Sequence, residues 1–103
     1  MADEPGTLSQ TRTGTNQEIR EPKLYRVILH NDDYTTMDFV IQVLVSVFHK
    51  QAPEAAKIMM DVHKKGKGIC GIYTYDIAAT RVVRVHQLAQ KREFPLKCSL
   101  EEA

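Results

Sequence analysis

The residues best equipped for chemistry stand together at Asn31-Asp32-Asp33. They offer amide and carboxylate oxygens, which accept hydrogen bonds, and two formal negative charges. Further along, His63 follows Met59 and Val62, while Met37 lies just after the acidic cluster. If the start of one helix meets the last turn of the next, Asn31, Asp33 and His63 come together beside Met37, Met59 and Val62. The polar set would then suit an ammonium group. The apolar set would take a large side chain, methionine being an adaptable wall. A plainer arrangement uses the same residues: Asn31 to Asp33 cap a helix and the methionines fill core. Spacing alone leaves both open.

Other chemistries fit less well. A calcium loop counted from Asp32 would need glycine at its sixth position and glutamate at its twelfth, but Met37 and Val43 stand there. The four histidines form no H-x-x-x-H pair and join no C-x-x-C, so zinc is not expected. Lys64-Lys65-Gly66-Lys67-Gly68 lacks the phosphate-loop arrangement and reads as a solvated helix end. Asp32 and Asp33 are neighbours whose side chains diverge, so they cannot flank a substrate as paired catalytic acids. Cys70 with His63 is the one conceivable nucleophile pair, yet Gly68-Ile69-Cys70-Gly71 reads as a strand holding a small core residue. No catalytic residue, metal or cofactor is expected.

These side chains must be positioned by a small domain. The chain has 103 residues, 43% hydrophobic and 26% charged, with net charge +1. That composition fits one globular domain. Near-neutral charge gives no reason to expect a nucleic-acid partner. The longest apolar-rich stretch, residues 39–48, is about half a membrane span, and no signal-like apolar region opens the chain. Two cysteines without such a signal are expected as free thiols in the cytoplasm. Residues 1–22 are polar and poor in large apolar side chains, and are expected as a flexible extension to a domain at 23–103.

Within the domain, Leu24 to Leu29 alternates as a strand does. Thr35 with Asp38 resembles a capping box opening a first helix. That helix carries Phe39, Val40, Val43, Leu44, Val47 and Phe48, with Ile41 and Val45 on further faces, and His49-Lys50-Gln51 at its end. Pro53 and Glu54 start a second helix that Gly66 closes. Gly68 to Tyr73 is a second strand whose glycines suggest a bulge or a close backbone approach. Thr74 caps a third helix packed through Ile77, Ala78, Val82, Val85, Leu88 and Ala89, and Leu96 to Leu100 is a last short strand. The order β-α-α-β-α-β predicts a two-layer α/β sandwich, with three helices on one face of a three-stranded antiparallel sheet.

Read together, Tyr25-Arg26-Val27-Ile28-Leu29-His30-Asn31-Asp32-Asp33-Tyr34-Thr35, Met59-Met60-Asp61-Val62-His63, Gly66-Lys67-Gly68-Ile69-Cys70-Gly71 and Pro95-Leu96-Lys97-Cys98-Ser99-Leu100-Glu101 closely resemble the signature of bacterial ClpS adaptors. The resemblance spans residues 22 to 103. It implies a non-enzymatic, monomeric adaptor that captures proteins with N-terminal Leu, Phe, Tyr or Trp. Such adaptors deliver them to an Hsp100 AAA+ unfoldase of ClpA or ClpC type and its ClpP peptidase. Carried over, Asn31, Asp33 and His63 would bind the substrate's α-ammonium, with Asp32 aiding contacts to the following backbone. Leu29, Thr35, Met37, Val40, Met59, Val62 and Leu96 would line the side-chain pocket, Met37 acting as a gate against β-branched residues. Asp76, Thr80 and Arg81 would lie on the unfoldase-docking surface, and the extension would be engaged during transfer. Many members carry proline where this chain has Thr36; threonine does not fix φ, so a less rigid loop is expected. The competing classes are a structural interaction module, such as the C-terminal domain of the ribosomal stalk protein, and a small hydrolase using Cys70 or His63.

Overall fold

The computed structural model describes residues 21–103. The expected flexible extension therefore lies outside the described residues, apart from Glu21 and Pro22. From there the chain runs β1 (Leu24–His30), α1 (Met37–Ser46), α2 (Ala52–Lys65), β2 (Lys67–Thr74), α3 (Tyr75–Lys91) and β3 (Lys97–Glu102). All strand pairings are antiparallel and the sheet order is β2-β1-β3. The expected sandwich is what the chain adopts.

Alternation on β1 decides which face is covered. Val27 and Leu29 are fully buried among Phe39, Val43, Leu44, Ala55, Val62, Val85 and Ala89, so the helices share one core on one side of the sheet. Arg26 and His30 sit on the other side, where Arg26 pairs with Glu101 at 3.2 Å and His30 bonds Ser99 Oγ at 2.7 Å. The register of β1 against β2 slips between Val27 and Ile28, leaving Cys70 as the extra residue of a bulge. Gly68 supplies the close approach: a Cβ there would stand 2.9 Å from Val62 Cγ2 and 3.2 Å from the Ile58 carbonyl, so α2 lies directly on β2. The edge strand β3 is guarded by α3, because the Cys98 N–H donates to His86 Nε2 at 3.0 Å.

Three local expectations need correcting. The N-cap of α1 is Thr36, whose Oγ1 accepts from the Phe39 N–H at 3.1 Å, and not Thr35. The helix ends at Ser46 with no basic residue in its last turn; Val47 and Phe48 stay buried beyond it, and His49 turns the chain with φ 56°. Val45 on α1 and Ile77 on α3 face solvent, and α3 packs through buried Ala78, Val85 and Ala89 with Val82 and Leu88 partly buried against the same core.

The end of α2 fixes the rest. Gly66 takes φ 90°, a left-handed conformation in which its N–H bonds the Val62 carbonyl at 3.0 Å. Its own carbonyl accepts the Asn31 N–H at 2.9 Å, tying the exit of β1 to the exit of α2. A Cβ at Gly66 would meet nothing within 4 Å, so substitution there is a purely conformational insult. Gly66→Ala is expected to lower stability by about 1–2 kcal/mol, the left-handed penalty of an L-residue, in urea unfolding. An unchanged midpoint would remove this strained turn from the account.

Candidate functional site

The six residues between β1 and α1 form a loop organised by one carboxylate. Asp32 Oδ1 accepts the N–H groups of Tyr34 at 2.8 Å and Thr35 at 2.7 Å, while Oδ2 accepts the Thr35 hydroxyl at 2.7 Å. This is the local backbone capture that aspartate favours in turns. Burial pushes the Asp32 carboxyl upward, but the three bonds from Thr35 and Tyr34 outweigh it and hold the group below its ordinary value. Thr36 then caps α1, so threonine restrains the helix entry through a side-chain bond where proline would do so through its ring.

Because the Asn31 N–H is bonded to Gly66, this loop stands beside the last turn of α2. Between them lies a cleft of about 400 Å³. Asn31, Asp32, Asp33, Thr35, Met37, Val40, Met59, Val62 and His63 line it, together with Tyr34 and Thr36. The meeting of the first helix's start with the second helix's end is therefore real. Leu29 and Leu96 do not reach the lining; both are buried in the core, Leu29 completely. Tyr34 was not anticipated, although it sits inside the acidic motif. The residue is 76% exposed at the cleft.

The electrostatics of this cleft are one-sided. Its lining carries two carboxylates and a histidine and no lysine or arginine. Asp32 is engaged by the loop, whereas Asp33 has no hydrogen-bond or ion-pair partner among the described residues. A larger hollow of about 840 Å³ lies between α2 and β2, but its acids are already matched. Lys50 pairs with Glu54 at 3.6 Å, Lys65 with Asp61 at 3.6 Å, and Arg26 with Glu101 at 3.2 Å. Uncompensated negative charge beside an apolar wall is found in the smaller cleft.

The residues expected on a docking surface lie on α3, which contributes nothing to the cleft lining. Asp76 is exposed in its first turn, and Thr80 Oγ1 donates back to the Asp76 carbonyl at 2.8 Å. Arg81 is engaged within the chain: its Nη1 donates to the Val47 carbonyl at 2.6 Å and its guanidinium lies 5.2 Å from the Tyr73 ring centroid. It fastens α3 to the end of α1. The cysteines are buried, and desolvation raises the Cys70 thiol and pushes Cys98 up to about 12, so neither offers a thiolate. Among the described residues no three His, Cys, Asp or Glu side chains converge as metal ligands would, and no helix is long and apolar enough to cross a membrane.

Comparison with known proteins agrees on one family. Residues 20–99 match the family model of the ATP-dependent Clp protease adaptor protein ClpS. The ATP-dependent Clp protease adapter protein ClpS of Syntrophus aciditrophicus is 59% identical over 85 residues, covering 82% of this chain and 79% of that protein. Its counterpart in Acetivibrio thermocellus is 56% identical over 87 residues, covering 84% and 88%. Among solved structures, Agrobacterium tumefaciens ClpS2 bound to L-phenylalaninamide superposes with a TM-score of 0.78 at 36% identity, over 81% of this chain and all of that one.

The Asp32 bonds carry a pH dependence. A carboxyl held low in the folded state adds stability above its unfolded pKa of ~3.9 and loses it as pH falls through the folded value. The stability difference between the wild type and Asp32→Asn should thus be constant above pH ~5 and shrink below ~4. Urea unfolding across that range checks it; a difference independent of pH would deny that the ionised carboxylate holds the loop.

Proposed function

Since the chain belongs to the ClpS family of Clp protease adaptors, which are not enzymes, we propose that its cleft captures the N-terminal residue of proteins destined for degradation. The observation that carries this reading is the pairing of unmatched acidic acceptors with an apolar wall in one 400 Å³ cleft. Asn31, Asp33 and His63 take the α-ammonium, which brings three donors and a positive charge. Met37, Val40, Met59 and Val62, with Thr35 beside them, take the side chain, and Leu29 and Leu96 back this wall from the core. Burying a leucine or aromatic side chain contributes roughly 1.5–3 kcal/mol, which favours N-terminal Leu, Phe, Tyr and Trp over small residues. The relative bound to phenylalaninamide supports the same chemistry, because that ligand joins a free amino group to an aromatic side chain.

The rest of the adaptor's task is proposed from the family. The partner is an Hsp100 AAA+ unfoldase of ClpA or ClpC type working with ClpP. Asp76 and Thr80, exposed on α3 away from the cleft lining, are left accessible for it while substrate is bound. Arg81 contributes there by holding α3 in place.

Titrating peptides that begin with Phe, with N-acetyl-Phe and with Val tests the reading by fluorescence anisotropy. The free Phe peptide should bind, and the other two should bind far more weakly. Equal binding of all three, or of none, overturns it. Asp33→Ala should weaken the Phe peptide by at least ~1.5 kcal/mol through loss of a charged hydrogen bond. Met37 is 45% exposed at the start of α1 and lines the cleft, which supports a gating role for it against β-branched side chains. Met37→Ala should therefore admit Val or Ile; loss of Phe binding without broadened choice would make Met37 a structural residue.

A further inference from the structure

The two adjacent aspartates of the loop have different surroundings. Asp33 is exposed and without a partner among the described residues, whereas both oxygens of Asp32 are occupied by Tyr34 and Thr35. Immediately afterwards Thr36 Oγ1 holds the Phe39 N–H at 3.1 Å, and the Thr36 carbonyl accepts from Val40 at 3.1 Å. An unbroken run of bonds thus links the segment bearing Asn31 and Asp33 to the helical turn bearing Met37 and Val40. On the other side, Asn31 is tied by its N–H to Gly66, three residues past His63.

The geometry points to Asp32 and Thr35 as a positioning pair that sets the spacing between the ammonium-binding groups and the side-chain wall. This rests on the ammonium-capture reading of the cleft and moves Asp32 out of the set that touches substrate. Its physical basis is that a guest gains from both ends of the cleft only when the two ends are held at one separation. Without the clasp, residues 31–36 rotate against α1, and a guest gripped by its ammonium no longer seats its side chain. The pair therefore governs how strongly binding discriminates among N-terminal residues, which a residue that merely contacts the ammonium does not.

Two substitutions of equal charge change separate the roles. Asp32→Asn keeps Oδ1 as acceptor for the Tyr34 and Thr35 N–H groups and reaches the guest only through the loop, so binding of a Phe-initiated peptide should fall by no more than about threefold. Asp33→Asn removes charge facing the ammonium and should cost about tenfold or more. Thr35→Val, which removes the hydroxyl clasp, should both weaken Phe binding and compress the ratio of Phe to Ala affinity, and Thr35→Ser should restore the two together. In Asp33→Asn that ratio should stay as in the wild type. Asp32→Ala combined with Thr35→Val should be no worse than the poorer single variant, since both break one unit.

Circular dichroism on each variant confirms that it is folded, and Asp32→Asn and Thr35→Ser keep the proposal testable if the harsher variants are not. Asp32→Asn losing as much as Asp33→Asn would overturn it, as would an unchanged Phe-to-Ala ratio in folded Thr35→Val. Failure of the wild type to distinguish a free from an acetylated N-terminus would instead sink the ammonium reading itself.

Discussion

One backbone hydrogen bond, from the Asn31 N–H to the Gly66 carbonyl, makes two distant pieces of chain into one site. It joins the first residue after β1 to the glycine that ends α2. Gly66 can offer its carbonyl there because φ 90° closes α2 and turns the chain into β2 within one residue. That turn places β2 beside β1, and Gly68 then lets α2 lie close against the strand it precedes. The cleft walls follow from this geometry. The acidic loop and Met37 form one side; Met59, Val62 and His63 form the other.

Chemistry in the cleft depends on dividing labour between like residues. Asp32 and Asp33 carry the same charge, but only Asp32 lies where the N–H groups of Tyr34 and Thr35 and the Thr35 hydroxyl converge on it. Its depressed carboxyl is the electrostatic trace of that convergence. Asp33 is left with its charge facing solvent and the cleft. Two consecutive threonines divide in the same way: Thr35 holds the loop and Thr36 caps the helix. A cleft whose rigid parts are bonded internally keeps its remaining acceptors for a guest, which reduces the ordering cost of binding.

Most of the fold was legible in the sequence because it rests on periodicity. Val27 and Leu29 alternate into the core, Ala55, Ile58, Met59 and Val62 recur at helical spacing, and Pro53 and Gly66 mark the ends of α2. What failed was local competition. Thr35 and Thr36 both satisfy capping rules, and the prior claim of Asp32 on Thr35 decides between them. Val47 and Phe48 continue an apolar helical pattern, yet they are buried after the helix has ended, with the chain turning at His49. Among site residues, those on the loop and on the last turn of α2 converge as read, but Leu29 and Leu96 were too deep for the lining. Burial depth of an apolar residue is a tertiary property that motif position does not encode. Tyr34 could have been found by asking which large side chain of the acidic motif has no place in the core. The Asn31–Gly66 bond is backbone to backbone and leaves no mark in side-chain chemistry.

The central claim is that this cleft receives a free amino terminus together with its side chain. Amide-resolved NMR during titration with L-phenylalaninamide locates the guest directly. The account predicts saturable shifts concentrated at residues 31–40 and 59–67, with α3 and the outer sheet residues Ile69 and Ile72 unmoved. Shifts centred on the hollow between α2 and β2, or no saturable shifts at millimolar ligand, would contradict it.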